Sequence, residues 1–81
     1  MGKPPREKPK RLARKLLAIR QRLGVSQTEM ARLLDLKQTY TVVSSYENGR
    51  REPDLIVLLE YARLAGVSTD VLIDDKMKLP K

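Results

Sequence analysis

At 81 residues and 41% hydrophobic, with neither Phe nor Trp, the chain has the size of one small domain whose core must be built from Leu, Ile, Val, Met and Ala. The absence of Cys and His excludes a disulfide frame, a thiolate nucleophile and the common zinc spacings, so no metal, cofactor or enzymatic role is expected. No run approaches the ~18 apolar residues of a membrane span, which leaves a soluble, cytoplasmic chain without membrane contact as the expectation. The net charge is +7, and the whole excess lies early: residues 1–22 carry nine basic side chains against Glu7. A basic run of this kind attracts polyanions, nucleic acid first among them.

In chain order, residues 1–9 hold Pro4, Pro5 and Pro9 among basic side chains. Proline removes amide donors, so this stretch is expected to be a disordered basic arm, either lying along phosphates or serving as a plain terminus. A single domain is expected over 10–75, with a tail at 76–81. Lys10 to Leu23 predicts the first helix, since Leu12, Leu16, Ile19 and Leu23 form one stripe at helical period. Arg11, Arg14, Lys15 and Arg22 fall off that stripe and are expected to be solvated. Gly24 ends the helix. Ser26-Gln27-Thr28-Glu29 then makes a capping box, and Val25 can staple onto Met30. The second helix is predicted over Gln27 to Asp35, with Met30, Ala31, Leu33 and Leu34 apolar. Gln27, in its first turn, can donate its side-chain amide to a phosphate.

The third helix is predicted from Thr39, as N-cap, to Tyr46 or Glu47. Thr, Ser, Val and Tyr are mediocre helix formers, and TYTVV has a strand rival, but a five-residue strand finds no partner elsewhere in the chain. Val42, Val43 and Tyr46 supply a core stripe, leaving Tyr40, Thr41, Ser44 and Ser45 largely outside it. Their hydroxyls can both donate and accept, and the Tyr ring and Thr methyl can meet a thymine methyl. Asn48-Gly49 is a C-cap signature, and Arg50-Arg51 just beyond can reach phosphates. Asp54 after Pro53 caps a fourth helix, Leu55 to Ala65, with Leu55, Leu58, Leu59 and Ala62 expected in the core. Ile56 and Val57 widen its apolar surface. Ser68 or Thr69 opens a short fifth helix through Val71, Leu72 and Ile73.

In this order, Ile19-Arg20, Gly24-Val25-Ser26-Gln27, Met30-Ala31, Leu34, Val43-Ser44-Ser45-Tyr46-Glu47-Asn48-Gly49-Arg50, Pro53, Leu58 and Ala62 to Ser68 resemble the Cro and lambda-repressor-like helix-turn-helix (XRE) family of DNA-binding transcriptional regulators. The resemblance covers residues 12 to 73. It implies an all-α, five-helix, lambda-repressor-like domain that binds double-stranded DNA, with the third helix in the major groove. It places Gln27 on a phosphate, Tyr40, Thr41 and Ser45 on bases, and Asn48 and Arg50 on the backbone. It makes Arg20 and Glu47 a structural pair. Gln38, Thr39, Ser44 and Arg51 complete the candidate DNA-binding set. From Ser26 to Glu47 the chain carries about two residues more than the family pattern, between Leu36 and Thr41. Either the turn is longer, or the third helix begins a turn earlier and Gln38 joins the reading set. A homodimer on a palindromic site is implied, with Ile56, Val57, Val71 and Ile73 as either the dimer patch or core filling. A repressor is the simplest function. The alternative on the same fold is a protein–protein adaptor, such as the antitoxin partner of a toxin.

Overall fold

A computed structural model describes residues 8–37 and 40–80. Those residues form five helices and no strand: α1 (Leu12–Leu23), α2 (Gln27–Leu33), α3 (Tyr40–Glu47), α4 (Leu55–Ala65) and α5 (Thr69–Ile73). Residues 1–7 of the basic arm, the Thr39 cap, Gln38 and Lys81 lie outside the described residues.

Helix α1 begins at Leu12, two residues later than its pattern predicts, and a distant side chain caps it. The amides of Lys10 and Arg11 both donate to the Asp75 carboxylate, each at 3.0 Å, which satisfies donors that the first turn cannot pair internally. The opposite exchange occurs one turn on. Lys15, expected in solvent, is only 7% exposed, and its Nζ donates to the carbonyls of Val71 (2.7 Å), Asp74 (2.9 Å) and Leu72 (3.5 Å). Its stem is buried while the ammonium caps the end of α5, where free carbonyls and the negative helix pole favour a cation. The two termini of α1 and α5 thus complete each other.

Four helices end in the same way, through a residue in the left-handed region followed by an amide that reaches back to the last turn. Val25 donates to Arg20 after α1, Leu36 to Ala31 after α2, Arg50 to Ser45 after α3 and Val67 to Ala62 after α4. Gly49, at φ 80°, fills the left-handed position after α3, where a Cβ would be strained. The position after α2 is taken by Asp35, at φ 56°, the one non-glycine with positive φ among the described residues. This motif stops α2 at Leu33 rather than Asp35; Leu33 itself is 42% exposed and so lies off the predicted apolar face. Leu34 to Lys37 are not helical, and α3 is described from Tyr40. Gln38 and Thr39, on which the choice between a longer turn and an earlier start of α3 depends, lie outside the described residues.

The core runs from Leu12, Leu16 and Ile19 through Met30, Ala31 and Leu34 to Val42, Val43 and Tyr46, closed by Val57, Leu58, Tyr61, Ala62 and Leu72. Helix α4 is rotated from its predicted setting. Leu55 and Ile56 are 79% and 68% exposed, while Val57 and Tyr61 point inward. Tyr61 is fully buried and meets Tyr46 edge-on at 6.4 Å between ring centres, the aromatic contact that a core without Phe or Trp still obtains. The predicted tail is not detached: Leu79 packs against the core and Arg22 donates to the Pro80 carbonyl.

Candidate nucleic-acid interface

Helix α3 has two faces. Val42, Val43 and Tyr46 are buried against α1 and α2, and the sequence-predicted readers lie on the other side: Tyr40 is 52% exposed, Thr41 exposed, and Ser44 and Ser45 half-buried. The burial of both valines decides helix over strand, because a strand would send Val42 and Val43 to opposite faces. Ser45 Oγ donates to the Thr41 carbonyl at 3.0 Å, the back-bonding of a serine one turn along. With its proton directed along the helix, Ser45 presents an acceptor oxygen outward.

The loop after α3 is ordered by its own polar groups. Ser45 carbonyl oxygen accepts from the amides of both Arg50 (3.0 Å) and Arg51 (3.2 Å). Asn48 Oδ1 accepts from the Arg50 amide at 3.1 Å, leaving the amide end of Asn48 as its donor. The Arg50 and Arg51 side chains are exposed. Lys8 and Pro9 share a cleft with Gly49, Arg50 and Arg51, beside the loop that follows α3. Burial raises the Tyr46 phenol above its ordinary pKa, Asp54 adds to the effect, and Arg51 opposes it.

Behind this face, Glu47 holds three helices together. Arg20 Nε and Nη2 donate to its two carboxylate oxygens at 2.6 and 3.1 Å, and Arg20 Nη1 donates to the Val25 carbonyl at 3.0 Å. The Glu47 side chain is 6% exposed and that of Arg20 18%. Its hydrogen bonding to Glu47 raises the Arg20 pKa, with burial opposing it. Gln27 also belongs to this group: its Nε2 donates to Glu47 Oε1 at 3.0 Å. Sequence reasoning placed Gln27 alone on a phosphate and missed this tie, which joins residues twenty positions apart on two helices. Ser26 Oγ caps α2 by accepting from the Glu29 amide at 3.1 Å, while the Glu29 carboxylate lies 3.4 Å from Arg32.

The structure therefore brings Tyr40, Thr41, Ser44 and Ser45 to one face, with Asn48, Arg50 and Arg51 at one end of it and Gln27 behind Glu47; Gln38 and Thr39 fall outside the described residues. Lys15 drops out of the basic surface, and Arg20 is paired. Among the described residues, no helix is long and apolar enough to cross a membrane, and no group of three or more His, Cys, Asp or Glu could hold a metal ion.

The profile of the helix-turn-helix family matches residues 16–72. The fold is similar to that of the P22 c2 repressor protein, solved in complex with a synthetic operator, with a TM-score of 0.70 and 20% identity over 79% of this chain and 94% of that one. It is also similar to a hypothetical transcription factor, NHTF, from Neisseria, with a TM-score of 0.65 and 30% identity over 88% of this chain and 86% of that one. No curated protein matches the chain. With five helices in this order, a part-buried Arg20–Glu47 pair behind α3 and a family match across α1 to α5, the chain belongs to the Cro and lambda-repressor type of helix-turn-helix family, whose members are DNA-binding transcription regulators and not enzymes.

Proposed function

We propose that this chain is a sequence-specific repressor that binds double-stranded DNA, reads the major groove with α3 and represses by occupying its site. The observation that carries this reading is the division of α3. One face is fixed in the core, and the other offers Tyr40, Thr41, Ser44 and Ser45 beside the exposed Arg50 and Arg51. In this reading Ser45, with its proton on the Thr41 carbonyl, accepts from adenine N6 or cytosine N4. Gln27, Asn48, Arg50 and Arg51 hold backbone phosphates, and the basic arm adds sequence-independent attraction. The P22 c2 repressor, seen on an operator, supports occupancy as the mode of action.

A homodimer on a palindromic site fits the exposed Leu55, Ile56 and Ile73, which leave an apolar patch on α4 and α5. Val57 belongs to the core and contributes nothing to that patch. A toxin or other protein partner would take the same patch and would leave the α3 face unused. Titrating mixed-sequence duplex at several salt concentrations separates the two readings. DNA binding predicts a log affinity that falls steeply with log salt, by about 0.9 for each phosphate neutralised. Absence of binding at low salt rejects the proposal.

A further inference from the structure

We infer that Glu47 is a positioning residue for DNA recognition, acting through Gln27, in addition to pairing with Arg20. This inference rests on the reading of Gln27 as a phosphate ligand. A carboxylate only accepts, so Glu47 requires the nitrogen end of the Gln27 amide to face it, as the 3.0 Å bond from Nε2 to Oε1 records. An unrestrained glutamine turns its amide over freely and presents an oxygen, which repels phosphate, as readily as a nitrogen. Here one N–H is fixed on Glu47, and the second N–H of the same planar group is fixed with it as a donor. Glu47 is in turn immobile, because Arg20 grips both of its oxygens and is itself tied to the Val25 carbonyl, immediately before the Ser26 cap of α2.

The geometry also couples the phosphate ligand to the reading helix. Glu47 is the last residue of α3, and Gln27 is the first of α2. Among the described residues, the Glu47 cluster is the polar tie that holds α3 against α2. Gln27 is half-buried and Glu47 almost fully buried, so the Gln27–Glu47 bond faces limited competition from water.

A double-mutant cycle on the full chain tests this, with binding to a selected duplex and thermal unfolding measured on Gln27→Ala, Glu47→Gln and the double variant. Gln27→Ala is expected to weaken binding about tenfold, as for loss of one hydrogen bond to a charged group. Glu47→Gln is expected to weaken it by a similar factor in the parent chain and by less than about twofold where Gln27 is already Ala. Its effect on the unfolding midpoint should be similar in both backgrounds, because that comes from Arg20. Should Glu47→Gln fail to fold, Arg20→Lys, which keeps the charge but loses the two-point grip, must give the same non-additive binding pattern. Equal losses of binding in both backgrounds overturn the inference and assign Glu47 to stability alone. A Gln27→Ala variant that binds like the parent overturns both the inference and the phosphate role of Gln27, while leaving the α3 reading standing.

Discussion

Replacing Lys15 by Met distinguishes a structural lysine from a surface one. The variant keeps the apolar stem and removes the ammonium from three carbonyls. Two of its bonds, to Val71 at 2.7 Å and Asp74 at 2.9 Å, have ordinary lengths, and the third, to Leu72 at 3.5 Å, is long. Hydrogen bonds from charged groups contribute about 1.5–3 kcal/mol each. Both short bonds lie in partly buried surroundings where water can replace part of the loss, so about 2–4 kcal/mol in total is expected. At 81 residues, 1 kcal/mol corresponds to about 6 °C in midpoint, giving a drop of about 12–24 °C in a thermal melt followed by circular dichroism. A solvated lysine at the same position would change stability by no more than about 0.5 kcal/mol, or about 3 °C. The salt slope of DNA binding should be unchanged in the folded variant, because Lys15 faces carbonyls and not phosphates. A melt within about 3 °C of the parent would refute the internal role of Lys15.

Tyr61→Phe removes a buried hydroxyl that has no hydrogen-bond partner among the described residues and whose pKa burial, with Glu47 nearby, pushes upward. Stability should stay level or rise by up to about 1 kcal/mol, and a clear loss in chemical denaturation would reveal a bond that this geometry lacks. Asp35→Gly relieves the left-handed position after α2 and should raise stability by about 0.5–1 kcal/mol, with a lowered melting temperature counting against the α2 stop. The Asp75 carboxyl is held below its usual range, first by the Lys10 and Arg11 amides and then by nearby charge. A depressed folded-state pKa contributes stability above the unfolded value and loses it as pH falls through the folded one. Asp75→Asn should therefore trail the parent at neutral pH and approach it in acid; a gap independent of pH would contradict this. Tyr40→Ala and Ser45→Ala should each cost about 1–3 kcal/mol at a specific site and relax preference at particular base pairs, and unaltered specificity in both would remove α3 from base reading.

Periodicity and caps were enough to read the helix order from the sequence, because each helix carries its own punctuation: Gly24, the Ser26 box, Asn48-Gly49, Asp54 and Gly66. The division of α3 was legible too, since Val42, Val43 and Tyr46 are the apolar residues that share a helical side. What local pattern could not supply was rotation and long-range capping. Helix α4 is apolar nearly all round, so its stripe was ambiguous, and Tyr61 in the centre turns Leu55 outward. Lys15 and Asp75 are sixty residues apart in sequence and polar in type, and nothing nearby marks either as a cap. In the sequence, only the family resemblance makes Glu47 one half of an ion pair. Its bond to Gln27 depends on how α2 meets α3, which only the packed structure supplies.

Helix α3 is held by polar ties at its far end, where Glu47 lies. Arg20, Gln27 and Glu47 anchor its C-terminal end, beside the Arg50 and Arg51 loop, while Tyr40 stands at the end nearer the turn. The Arg20–Glu47 pair is part-buried, so removing one partner should cost less than the ~3–5 kcal/mol of a fully buried pair. Positive charge is arranged to match. In the proposed reading the basic arm adds attraction without sequence content, and Lys8 and Pro9 share a cleft with the loop arginines.

Selection of duplexes from a random-sequence pool by the full chain tests base reading by α3. Major-groove reading by a two-fold dimer predicts one enriched palindrome with half-sites about 34–36 Å apart. The base pairs enriched in each half-site should be those at which Ser45→Ala relaxes the choice. Enrichment of no sequence, or of a site whose preferences survive both Tyr40→Ala and Ser45→Ala, would contradict it.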